Sequence, residues 1–230
     1  MGIIENMHSV KKAIAEAAKK SGKNADDVIL VGITKTFPIE IINEAIGCGM
    51  KDIGESRVQE AEKKFPLLSN VRKHFVGHLQ TNKVKKAVEI SDMIQSVDSL
   101  KIAMKINEAS LVMGKVMPVL IEVLTDEKKH FGVRRGETAY FLKEISGLEG
   151  LRIEGLMTVA PQTENPEDTR AIFRRMKSLF DYIRTQNIPN VEMRYLSMGM
   201  SGDFAVAIEE GANIVRVGRG IFGERSNREQ

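Results

Sequence analysis

The sequence predicts a (β/α)8 TIM barrel preceded by an N-terminal helix. Short apolar runs alternate with amphipathic stretches from end to end, the cycle recurs eight times, and all of it fits within 230 residues. Alternation of this kind makes parallel strands joined by right-handed crossovers. Eight units in so short a chain favour closure over an open doubly wound sheet, because a barrel typically takes ~250 residues and can be built with ~200. No linker, low-complexity stretch or shift of composition divides the chain, so residues 1–230 are expected to form one domain.

The elements follow in order. Ile4, Met7, Val10, Ile14 and Ala17/Ala18 repeat at helical spacing, and Ser21-Gly22-Lys23-Asn24 ends that helix. Val28 to Thr34 is a nearly continuous apolar run, as a parallel strand buried on both faces requires. Pro38 can open the next helix, which stops at Gly47-Cys48-Gly49. A strand Lys51–Gly54 and a helix from about Ser56 to Lys64 follow. The next units are strand His74–Gly77 with helix Asn82–Glu89, and strand Met93–Gln95 with helix Leu100–Met113. Strand Val116–Leu124 precedes a helix near Glu137–Ser146, and strand Leu151–Met157 precedes the long helix Pro166–Thr185. Strand Val191–Leu196 with helix Asp203–Glu210, then strand Asn213–Val217 with a short terminal helix, complete the series. The loop Pro161–Pro166 reads as a mobile segment.

Composition excludes several classes of function. The excess of Lys and Arg over Asp and Glu is only +3 and interspersed, which argues against a nucleic-acid partner. The single Cys48 forms no internal disulfide, suits a reducing compartment, and has no Cys/His companion to make a metal site. No apolar stretch approaches the ~18 residues of a membrane span, and no leader pattern opens the chain, so a cytoplasmic protein is expected. With no clear interface stripe, a monomer is expected.

Chemistry in such barrels sits at the C-terminal ends of the strands. Two features stand out there. Lys35 directly follows a buried apolar strand, where desolvation can free an amine to attack an aldehyde; a solvated strand-end lysine is the plainer reading. Ser197-Met-Gly-Met-Ser-Gly-Asp203 and Val217-Gly-Arg-Gly-Ile-Phe-Gly223 each bring glycines and exposed amides to the start of a helix. That pairs two phosphate-binding turns at the place where barrels commonly hold a phosphate, although each turn alone is explained by tight geometry. A ligand carrying both a carbonyl and a phosphate satisfies the two features together: pyridoxal phosphate or a sugar phosphate. Arg216 lies inside the last apolar strand, where an unpaired charge is costly. Pointing into the mouth it would donate to a pyridine nitrogen; otherwise it would pair with Glu122 or Glu154 inside the barrel.

Several blocks, in order from the first strand to the last, resemble the pyridoxal phosphate homeostasis proteins. They are Ile33-Thr-Lys-Thr-Phe-Pro38, Gly54-Glu-Ser-Arg-Val-Gln-Glu60, His74-Phe-Val-Gly-His-Leu-Gln-Thr-Asn-Lys83, Gln95-Ser-Val-Asp98, Gly155-Leu-Met157, Leu196-Ser-Met-Gly-Met-Ser201, and Val215-Arg-Val-Gly218 with Gly220-Ile-Phe-Gly223. That family is similar to the N-terminal barrel of alanine racemases without their second domain. The resemblance implies pyridoxal 5′-phosphate as cofactor, an internal aldimine at Lys35, Arg216 facing the pyridine nitrogen, and phosphate contacts from Ser197, Gly199, Met200, Ser201, Gly218 and the amide of Arg219. Ser56, Met157 and His78 join the expected cofactor shell; His78 either touches the ring or supports the Lys35 loop, and a packing role is the plainer alternative. The resemblance further implies intracellular cofactor homeostasis or delivery, with apo-enzymes as recipients and no catalytic residue. A weak amino-acid racemase and a Schiff-base aldolase acting on a sugar phosphate are the competing readings. Tyr140, Tyr182 and Tyr195 do not obviously replace the tyrosine base that a racemase takes from its second domain. The chain departs from the family pattern at Ser56 (usually Asn), at Phe37 and near His130 (often Lys), and at Arg219 (often Thr).

Overall fold

The computed structural model describes residues 2–126 and 131–223. Helix α1 (Ile3–Lys20) comes first, and its buried side chains Ile3, Met7, Val10, Ile14, Ala17 and Ala18 are those of the predicted stripe. Eight parallel strands then close on themselves: β1 (Ile29–Ile33), β2 (Asp52–Glu55), β3 (Arg72–Phe75), β4 (Met93–Val97), β5 (Met117–Leu124), β7 (Leu151–Met157), β8 (Val191–Ser197) and β9 (Ile214–Val217). Pairing of β1 with β9 and of β4 with β5 removes both edges of the sheet. A two-residue strand, β6 (Val133–Arg134), adds to β5 outside the ring. It was not expected, because two residues carry no periodicity.

The connecting helices are α2 (Ile39–Gly47), α3 (Val58–Lys64), α4 (Val84–Ile90), α5 (Leu100–Val112), α6 (Thr138–Ile145), α7 (Arg170–Thr185), α8 (Phe204–Glu209) and α9 (Arg219–Phe222). Pro38 caps α2 from outside the first turn, and the first residues of the segment predicted as helix from Pro166 form a separate 3-10 turn. Helix α1 packs on α2, α8 and α9, and its Asn6 Nδ2 donates to the carbonyl of Ile221 at 2.9 Å. The extra helix therefore braces the two helices that start at the Gly/Ser turns.

Alternation along the strands separates two cores. Outward-facing residues such as Ile53, Phe75, Ile94, Val215 and Val217 join the large cluster beneath the helices. Inward-facing Val31, Met93, Leu120, Met157 and Ile214 fill the barrel itself. Gly77 allows the ends of β2 and β3 to converge, since a Cβ there would lie 2.1 Å from the Ser56 carbonyl oxygen. No helix among the described residues is long and apolar enough to cross a membrane.

Candidate functional site

Above the apolar layer the barrel interior turns polar. Arg216 on β9 is buried, donating from Nη1 to Ser197 Oγ at 2.6 Å and from Nη2 to the Thr158 carbonyl at 2.7 Å. Ser197 Oγ donates to Gln95 Oε1 at 2.6 Å, and Gln95 Nε2 lies 2.9 Å from His74 Nδ1. His74 Nε2 in turn lies 2.9 Å from Asp52 Oδ1. Because Gln95 Nε2 is a donor, His74 Nδ1 must accept and Nε2 must carry the proton towards Asp52. Burial pulls His74 below the usual imidazole range against the opposing pull of Asp52, which keeps it neutral. A single string of hydrogen bonds thus crosses the barrel from β9 through β8, β4 and β3 to β2.

Burial also pulls the Arg216 guanidinium down to about 10, with the charges of Glu122 and Asp203 resisting. It remains protonated at neutral pH. Glu154, the other candidate partner, belongs elsewhere: it pairs with Arg152 at 2.6 Å and Arg72 at 3.8 Å, near the N-terminal side of the barrel.

Arg216 forms the floor of a cleft of about 520 Å³ at the C-terminal mouth, walled by Ile33, Met200, Ser201, Asp203, Gly218 and Arg219. The loop Pro161–Pro166, expected to be mobile, supplies Pro161, Gln162, Thr163 and Pro166 to the same wall. The two Gly/Ser turns meet here. Ser201 Oγ accepts from the amides of Gly218 and Gly220, both at 3.2 Å, and so ties the turn after β8 to the turn after β9. Gly199 holds φ +90°, and a Cβ there would come within 2.6 Å of Ala207 Cβ and 2.8 Å of Phe204 Cα. Asp203 Oδ1 accepts the Met200 amide at 2.6 Å. Burial raises the Asp203 carboxyl above its usual range, opposed by that amide and by Arg216.

The predicted residues do not all converge. Met200, Ser201, Arg216, Gly218 and Arg219 line the cleft, and Gly199 shapes the turn beneath it. Ser197 is buried with its hydroxyl committed to Gln95 and Arg216, so it braces the arginine from inside the barrel. Met157 is buried in the apolar layer. Lys35 stands two residues beyond the end of β1, partly exposed, and its amine has no hydrogen-bond or ion-pair partner among the described residues. Ser56, partly buried, is the residue immediately after the neighbouring strand β2. His78 lies across the ring of strands in a second cleft, its Nδ1 2.9 Å from Asp98 Oδ2 and its ring stacked 3.5 Å from that of Phe131. Phe37 packs against Phe222, with ring centroids 5.0 Å apart. His130 lies outside the described residues. Tyr140 and Tyr182 are exposed on α6 and α7, and Tyr195 lies between Arg72 and Arg194. The sequence reading missed Gln95 and His74 as site residues; polar side chains at inward positions of apolar strands were the available signal.

Comparison with known proteins identifies the family of the chain. Residues 10–226 match the family model described as alanine racemase, N-terminal domain. A pyridoxal phosphate homeostasis protein of Aquifex aeolicus is 40% identical over 98% of this chain and 99% of its own. That of Escherichia coli K12 is 32% identical over 97% of both. PipY of Synechococcus elongatus PCC7942, solved with pyridoxal phosphate bound, is 33% identical with a TM-score of 0.81, covering 91% of this chain and all (100%) of PipY. An alanine racemase of Clostridium difficile, 16% identical with a TM-score of 0.76, shares the fold over 97% of this chain and 58% of its own. With the family model spanning nearly the whole barrel and full-length relatives this similar, the chain belongs to the pyridoxal phosphate homeostasis protein family.

Proposed function

We propose that this protein holds pyridoxal 5′-phosphate at the barrel mouth through a Schiff base at Lys35, and serves cofactor homeostasis in the cytoplasm without robust turnover of its own. The observation that carries this reading is the strand-end position of Lys35, two residues past β1 and so beside β9, whose Arg216 lies in the cleft walled by the two phosphate-type turns. The donor set fits the cofactor. The Arg219 amide and the Ser201 hydroxyl, whose own proton is left to donate, suit the phosphate, while the Gly218 and Gly220 amides are spent on Ser201 and the Met200 amide on Asp203. Arg216 uses two of its five N–H groups on Ser197 and Thr158, leaving donors for an unprotonated ring nitrogen. Ser197 supports the cofactor ring indirectly, by fixing Arg216, and Arg219 offers a charge to the phosphate where a hydroxyl is usual. Met157 closes the barrel below, and Ser56 and His78 stand farther out around the mouth. That PipY was solved with pyridoxal phosphate bound supports the same cofactor here.

Delivery to apo-enzymes follows from a site that is open to solvent, and a monomeric carrier suffices for it. A racemase needs a proton donor on each face of the substrate, and the positions of the three tyrosines favour a carrier over a racemase. The test is the absorbance of purified protein with added pyridoxal phosphate, before and after borohydride, for wild type and Lys35→Ala. A visible imine band that borohydride fixes in wild type and that the variant lacks is expected. A wild type without the band refutes the proposal, and fast racemisation of alanine by the wild type refutes the carrier role.

A further inference from the structure

Strand β1 ends at Ile33, so something else must hold Lys35 in place. The peptide groups on either side of it are gripped from α3. The Thr34 carbonyl accepts from Lys64 Nζ at 2.8 Å, and the Thr36 amide donates to Glu60 Oε2 at 2.8 Å. Lys64 Nζ and Glu60 Oε2 are themselves 3.0 Å apart, an i,i+4 pair on that helix. Lys64 also donates to Glu55 Oε1 at 2.7 Å, and the same oxygen accepts from Thr34 Oγ1 at 2.7 Å. Lys64, only 12% exposed, therefore spends its ammonium on three acceptors surrounding one residue of the chain.

The residue after Lys35 shows what the grip achieves. Thr36 has φ 70°, whereas the other non-glycine residues with positive φ among those described are asparagines: Asn70, Asn187 and Asn190. Asparagine tolerates this region; a β-branched residue enters it only under constraint. Burial opposes ionisation of Glu60, yet the Thr36 amide and Lys64 together hold its carboxyl below the usual range, so it grips as a carboxylate.

We propose that Lys64 and Glu60 are positioning residues for Lys35, fixing the strained turn from which its side chain leaves the end of β1. The inference rests on Lys35 being the Schiff-base residue. In that reaction the Lys35 nitrogen bonds to the aldehyde carbon, a C=N bond forms, and the aldehyde oxygen leaves as water. Positioning acts on the first encounter, so it is read in the rate of bond formation.

The experiment mixes cofactor-free full-length protein with pyridoxal phosphate and follows the imine band, with borohydride trapping at Lys35 confirmed by peptide mapping. Urea melts of each variant run alongside. Lys64→Met is expected to form the imine at least tenfold more slowly. Glu60→Gln, which keeps an acceptor for Thr36 without the charge, is expected to be slowed less. Adding Thr36→Gly to Lys64→Met should restore much of the rate, because glycine adopts φ 70° unaided; a general loss of stability would not be repaired in this way. Wild-type rates in both folded single variants overturn the inference and leave the proposed function standing. If Lys64→Met fails to fold, a wild-type rate in Glu60→Gln overturns it. A wild type that forms no imine at Lys35 refutes the proposed function and this inference with it.

Discussion

Replacing Gln95 by Met isolates the worth of the hydrogen-bond string through the barrel. Methionine keeps the length and volume of glutamine, so little of the effect comes from a cavity. Gln95 is fully buried and joins Ser197 Oγ to His74 Nδ1. The substitution leaves the Ser197 hydroxyl without an acceptor and His74 Nδ1 without a donor, both away from water. Each orphaned buried group costs about 1–3 kcal/mol, so the loss of two should be roughly 2–6 kcal/mol. For a chain of this length each kcal/mol moves the melting midpoint by ~2–4 °C, so Tm should fall by roughly 4–24 °C. Urea titration measures the free energy directly, and an unchanged slope confirms that the denatured state is not the cause. A loss under about 0.5 kcal/mol, within the range of an ordinary surface substitution, would refute the argument that the string is satisfied as a unit.

Three further outcomes follow from the same geometry. His74 has its folded pKa depressed by burial, so its contribution to stability is complete above the unfolded value near 6.5 and is lost as pH falls through the folded value; the urea midpoint should fall on acidification from pH 7 to 5, and less steeply in His74→Gln. Asp203→Asn retains an acceptor for the Met200 amide and removes a negative charge from the cleft wall, so calorimetry at pH 8 should find inorganic phosphate bound about 3- to 10-fold more tightly; unchanged or weaker binding would contradict it. Gly199→Ala forces a Cβ into Ala207 and Phe204 at positive φ, which should cost more than about 1 kcal/mol in urea and weaken phosphate binding.

What the sequence discloses here depends on the distance over which a feature is encoded. The α1 stripe, the eight strand–helix units and the two Gly/Ser turns are local patterns, and each appears where the periodicity places it. The string from Arg216 to Asp52 joins inward positions on five strands, and each member alone resembles an ordinary strand residue. Gln95 was legible only within a motif. Lys64 reads as the charged end of an exposed helix, and only closure of β1 against β2 brings the Thr34 carbonyl within its reach. His78, which strand-end position and motif membership offered to the cofactor ring, to the Lys35 loop or to packing, is engaged with Asp98 and Phe131 in its own cleft, past the end of a strand across the ring from β8.

Under the proposed function, Arg216 links holding the cofactor to doing little chemistry with it. Even after burial lowers it to about 10, the guanidinium is charged at neutral pH and can only donate. Under the proposed reading it must meet a pyridine nitrogen that carries no proton, and such a ring draws electrons weakly from the carbon beside the amine. Moving Arg216 away would expose a buried charge and strand Ser197 and the Thr158 carbonyl, so the string anchors it at this position. Turnover would therefore require more than adding a base at the mouth. The floor of the barrel would have to change as well, from a fixed cation to a group able to share a proton with the ring.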